Sequence, residues 1–158
     1  MFKTFFILLA LCSCILLSSC KKEEATPQQE IVSGLATLTQ KSFTPTAFDG
    51  GKPIKAIVVQ DFEGTIGSLG KFTAVINAEL DLVTGKSGQV LATYVNTSGD
   101  KINTLSSSIG SEKGLTISEK ITGGTGKFSK ISGGGTYFIN LDRTTGNGSG
   151  VLSWTVTY

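Results

Sequence analysis

The sequence predicts an all-β domain, a small antiparallel β-barrel closed from about eight strands and preceded by a signal peptide. Three observations carry this reading. Glycine is 20 of 158 residues and charged residues only 16%, the composition of a chain with many turns. No segment keeps a helical period over ten or more residues. Short apolar or alternating stretches instead recur between clusters of Gly, Asn, Asp and Ser.

Residues 1–19 read as a secretion signal. Lys3 supplies the positive start, and Phe5 to Leu17 form an apolar run of 13 residues, shorter than the ~20 needed to span a bilayer. Leu17-Ser18-Ser19-Cys20 resembles a lipobox, which implies cleavage before Cys20 and lipidation of its thiol with palmitate-type chains. The expected location is the cell envelope, lipid-anchored in the outer membrane. Lys21-Lys22-Glu23-Glu24 has two readings that stand side by side, a surface-export signal and a solvated linker. Residues 20–30 form the lipidated cysteine and its tether, with Pro27 and two glutamines. The barrel is expected over 31–158.

Ile31 to Gln40 is the first expected strand, and Asp49-Gly50-Gly51 a turn. Ile54 to Thr65 follows, with Ile54, Ala56, Val58 and Phe62 on one face. Lys71 to Leu82 alternates cleanly: Phe72, Ala74, Ile76, Ala78, Leu80 and Leu82 face a core, and Lys71, Thr73, Asn77, Glu79 and Asp81 face water. Gln89 to Asn96, Lys101 to Ile109 and Leu115 to Ile121 come next. A glycine-rich corner then runs from Ile121 to Thr136 and leads into Gly135 to Leu141. Thr145-Gly146-Asn147-Gly148 turns the chain into Val151 to Tyr158, where Leu152, Trp154, Val156 and Tyr158 share a face. Strands joined in this way close into a barrel because closure removes exposed edges.

Four stretches in this order, Gly64 to Thr73, Gly99-Asp100-Lys101-Ile102, Ile121 to Phe128 and Gly133-Gly134-Gly135-Thr136, resemble the allene oxide cyclase barrel-like superfamily, which includes the plant dirigent proteins. The resemblance implies an eight-stranded antiparallel barrel with a central cavity, and self-association into a homo-oligomer. It carries no activity, because the polar residues those proteins use inside the barrel find no match here residue by residue.

Composition excludes several chemistries. The chain has no histidine and a net charge of +2, and its three cysteines all lie within the first 20 residues. His-dependent triads and His or Cys metal sites are thereby removed from the folded part. The scattered basic residues offer no nucleic-acid patch. Gly123-Gly124-Thr125-Gly126-Lys127-Phe128 fails as a phosphate loop because Phe follows the lysine where Ser or Thr is required. It reads instead as an architectural corner, with Phe128 and Ile131 as plugs. No cofactor or metal is expected.

Two carboxylate pairs, Asp61 with Glu63 and Glu79 with Asp81, read as solvated. Glu119 differs, because it alternates with Leu115, Ile117 and Ile121 and so points inward. A buried carboxylate must be hydrogen-bonded or protonated. The favoured partners are backbone N–H groups of the glycine-rich turn; the other reading is a polar anchor or general acid in a cavity. Tyr94, Asn140 and Trp154 are further candidates for a ligand-binding interior. The leading expectation is a non-enzymatic binding or interaction module of unknown ligand, with a small apolar ligand among its candidate partners. The alternative is a cyclase, isomerase or dirigent-like protein that guides an apolar intermediate inside the barrel.

Overall fold

The computed structural model describes residues 27–158, so the signal sequence and Cys20 lie outside the described residues. Nine strands form the domain: β1 (Gln29–Asp49), β2 (Lys52–Ile66), β3 (Gly70–Asp81), β4 (Lys86–Ser87), β5 (Val90–Asn96), β6 (Lys101–Ser111), β7 (Gly114–Gly124), β8 (Ser132–Leu141) and β9 (Gly148–Thr157). All neighbours are antiparallel, and the ring closes where β9 pairs with β1, from Gln29 opposite Thr157 to Leu38 opposite Gly148. Eight strands make the wall, in the order β1-β2-β3-β5-β6-β7-β8-β9, and β4 is a short patch. The expected closed antiparallel barrel is the fold observed.

The wall is uneven at one place. β3 meets β5 through only two register pairs, Phe72 with Asn96 and Thr73 with Val95. Further along, β4 takes over, with Leu80 opposite Ser87 on one side and Lys86 opposite Ile109 on the other. The two-residue strand β4 was absent from the sequence reading because Gly85 and Gly88 flank it and leave no alternation to detect.

β1 is also longer than the expected Ile31–Gln40. It begins at Gln29 and runs on to Asp49, and from Thr39 onward it pairs with β2 alone. The β1–β2 hairpin therefore runs past the end of β9, while β3 flanks β2 as far as Lys55 opposite Asp81, so only the tip, from Phe48 to Pro53, stands past both neighbours. Three register shifts, at Gln40/Ser42, Pro45/Ala47 and Ala47/Phe48, break the two-residue period that would have marked it as strand. Pro45 fits because it stands at a register shift where β1 pairs with β2 alone, an edge that tolerates a missing N–H.

The two ends of the barrel are built differently. At one end, Leu69, Phe72, Phe128 and Ile131 are buried and fill the interior, with the Phe72 and Phe128 rings 5.5 Å apart. The plugs expected from the glycine-rich corner are thus in place. The corner's glycines have a steric role. A Cβ on Gly133, Gly134 or Gly135 would stand about 2 Å from the carbonyl oxygens of Thr155, Glu119 and Ser153 respectively, so no side chain fits where β8 crosses β7 and β9.

This separates lack of space from backbone freedom. Gly135→Ala should lower stability by about 1–3 kcal/mol through overpacking. Gly88→Ala, with nothing within 4 Å of the added Cβ, should be neutral or stabilising by about 0.4–1 kcal/mol. Urea midpoints at constant m measure both; equal effects would refute the steric account.

Candidate functional site

The opposite end of the barrel is open and holds a cavity of about 500 Å³. Its walls come from the inward faces of several strands, including Leu38, Val58, Ile76, Leu80, Leu115 and Ile117. The half-buried positions of β3 that alternate with Asn77 and Glu79 are these cavity walls. Gln40, Gln60 and Ser106 add polar atoms, and Arg143 stands at the rim with its Nη2 donating to the Ser111 carbonyl.

The loop between β8 and β9 borders the mouth and is tied down. Asp142 accepts from the Thr144 N–H at 2.8 Å, which holds its carboxyl below the usual range. Gln60 Nε2 donates to the Gly146 carbonyl at 3.3 Å, and the Gln40 N–H to Asn147 Oδ1 at 2.8 Å. The loop is thereby fastened to β1 and β2.

Glu119 lies at the inner limit of the cavity. Its cross-strand partner Ser106, and Val90 opposite Ser106, still line the space. One layer further in, Thr104, Tyr94 and Trp154 are fully buried. These three hold the carboxylate. Tyr94 donates its hydroxyl to Oε1 at 2.6 Å, Thr104 Oγ1 donates to the same oxygen at 3.4 Å, and Trp154 Nε1 donates to Oε2 at 3.0 Å. The Tyr94 contact has the length of a charge-assisted O–H···O⁻ bond. A carboxylate has about four acceptor positions, so Oε2 keeps acceptor capacity toward the cavity. Among the described residues every buried side-chain nitrogen or oxygen has a partner.

Aromatic packing fixes the donors. The Tyr94 ring meets Phe62 edge-on at 4.8 Å and Trp154 at 5.4 Å, geometries that suit ring quadrupoles. Tyr137 is buried, lines the cavity and faces the carboxylate from β8. Burial pushes the pKa of Tyr94 and Tyr137 well above 10.0, so both phenols stay neutral and able to donate. Burial also raises Glu119 from its ordinary 4.5, while the bonds from Tyr94 and Trp154 oppose the rise.

Sequence alternation placed Glu119 inward, and it is there; Tyr94 and Trp154, the other candidates for the interior, are buried beside it. Three readings need correction. The partners of Glu119 are side chains; the amides of the glycine-rich turn are engaged locally, as in Phe128 N–H to the Thr125 carbonyl at 3.0 Å and Ile131 N–H to the Phe128 carbonyl at 3.0 Å. Asn140 is exposed on the outer wall, because Tyr137 and Ile139 take the inward positions of β8. Tyr158 likewise turns outward, 40% exposed, with its hydroxyl 3.4 Å from Glu30 Oε2. The sequence reading missed Thr104 and Arg143; Thr104 had a signal, since it alternates with Ile102 on β6. The carboxylates read as solvated stand at the surface beside lysines, with Lys41 2.9 Å from Asp61, Lys55 3.7 Å from Glu79, and Lys71 paired with Glu63.

The Glu119 shift has a definite sign. Folding raises this pKa, so its contribution to stability is full below the unfolded carboxyl value of about 4.3 and is lost as pH rises through the folded value. The stability difference between wild type and Glu119→Gln, from urea unfolding at a series of pH values, should therefore fall with rising pH across that window and then level off. Parallel curves would show that burial does not raise this carboxyl.

No family model and no curated protein matches the chain. Among solved structures the chain is similar to a pterocarpan synthase dirigent protein, with a TM-score of 0.58 and 16% sequence identity over 84% of this chain and 86% of that one. At that identity the similarity is one of fold: the domain is a dirigent-like β-barrel.

Proposed function

We propose that this protein is a lipid-anchored envelope β-barrel that binds a small, largely apolar molecule in its open end. One observation carries the reading: an apolar cavity of about 500 Å³ with a single carboxylate, Glu119, at its inner limit. Pockets that take small molecules have this form, mostly apolar walls with a few polar groups that set orientation. The ligand fits tail-to-wall, with a hydroxyl or similar hydrogen-bond donor directed at Glu119 and beside Tyr137. The anchor rests on the order of Lys3, the apolar run and Leu17-Ser18-Ser19-Cys20 in the sequence.

A second reading has its own support. A carboxyl with a raised pKa, held by three side-chain donors and facing a cavity, suits proton donation to a bound intermediate or stabilisation of developing positive charge. The likeness to a dirigent protein named as a pterocarpan synthase agrees with such a guiding role. The two readings share the cavity and differ in turnover.

Trp154 is the sole tryptophan of the chain and donates to Glu119, so it reports on the site. Titration with an apolar alcohol such as decanol should change its emission saturably. Ala78→Trp, which fills a cavity wall, should abolish the displacement of a bound apolar dye, whereas Val75→Trp on the outer face should not. Dye displacement unchanged in Ala78→Trp would defeat the binding reading. For the anchor, Cys20→Ser should eliminate acyl labelling and move the protein from the membrane to the soluble fraction; unchanged partition would defeat it.

A further inference from the structure

Taking the lipid anchor as read above, we infer that the plugged end of the barrel is the face that rests on the membrane, and that the cavity opens away from it toward the aqueous side. The inference follows from where the chain enters the fold. β1 starts at Gln29 beside the C-terminal end of β9, with the Tyr158 N–H donating to the Gln28 carbonyl at 3.3 Å. The next residue, Glu30, accepts from Ser68 Oγ at 2.8 Å, in the turn that joins β2 to β3. That turn carries Leu69, one of the plug residues. The first strand therefore begins at the plugged end.

Reach then decides the orientation. From Cys20 to Gln29 is 29 − 20 = 9 residues, at most about 30 Å fully extended. β9 has 10 residues, so the wall is about 25 Å high for strands tilted by 35–45°. β1 is the longer strand, 21 residues from Gln29 to Asp49, ~65 Å along the strand and ~50 Å in height at the same tilt. The tip of the β1–β2 hairpin thus stands farther from Gln29 than the tether reaches. Turning the mouth onto the same bilayer would require the whole tether laid along the wall and the hairpin driven through the headgroups.

The two faces differ in polarity. The plugged end exposes Ser68, Lys101, Lys127 and Lys130, which suits contact with headgroups. The mouth end exposes Phe48 at 61% and Val83 at 75%. Apolar tips would favour the reverse orientation if the tether allowed it, so tether length and surface polarity make opposite demands at that end, and the experiment separates them.

The folded domain has no cysteine, and acylation occupies the thiol of Cys20, so single-cysteine labelling is clean. Lys127→Cys marks the plugged end and Lys113→Cys, in the turn between β6 and β7, marks the mouth end. Each variant, purified from membranes as the acylated protein and carrying one fluorophore, is reconstituted into phosphatidylethanolamine/phosphatidylglycerol vesicles containing a headgroup-quencher lipid. Quenching several-fold stronger at position 127 than at 113 is expected. Equal or reversed quenching with the protein floating on the vesicles would overturn the orientation and leave the anchor standing. Failure of the protein to float, with no acyl chain attached, would remove the anchor and the orientation together.

Discussion

Placing one carboxylate inside a barrel sets conditions on everything around it. An ionised carboxylate cut off from water is costly unless hydrogen bonds replace its hydration. Here the replacement comes from three strands: Tyr94 on β5, Thr104 on β6 and Trp154 on β9 all converge on Glu119 of β7. Their positions depend in turn on the packing of Phe62 against Tyr94 and of Tyr94 against Trp154. The interior is therefore ordered by polar demand as well as by apolar burial, and a half-satisfied arrangement would be worse than an apolar core. That demand also divides the barrel, with a packed apolar plug on one side of the carboxylate and an open cavity on the other.

Much of this was legible in the sequence. Alternation along Lys71–Leu82 and Leu115–Ile121 gave the correct faces, because a strand with one buried face leaves a two-residue signature. That signature alone placed Glu119 inward. Its partners were not legible, since Tyr94, Thr104 and Trp154 lie 25, 15 and 35 residues away and meet it only when the ring closes. The glycine-rich corner invited a search for local backbone donors, yet its amides close their own tight turns. Asn140 was misplaced because Gly133–Gly135 carry no side chains to fix the phase of β8. The second half of β1 was hidden by its register shifts.

The two ends divide the labour of the molecule. The glycine-rich corner lets strands approach closely where Phe128 and Ile131 seal the interior. The mouth is framed by a loop that Gln40 and Gln60 fasten to the first two strands. A pocket sealed at one end and framed at the other is pre-formed, and pre-formed pockets in general carry a lower ordering cost of binding.

The join between β3 and β5 gives the ring a mechanical character. Every other strand-to-strand contact around the eight-stranded wall is held by six or more register pairs, while this one has two, supplemented by the short patch of β4. A barrel's girth is fixed by its ladders, so any change in girth concentrates where the ladder is thinnest. Ile76, Ala78 and Val90, which flank the join, also line the cavity. The join is the thinnest seam of the wall, and the Phe62–Tyr94 contact, which links β2 to β5 across the interior, ties the carboxylate's donors to the strands on the far side of that seam.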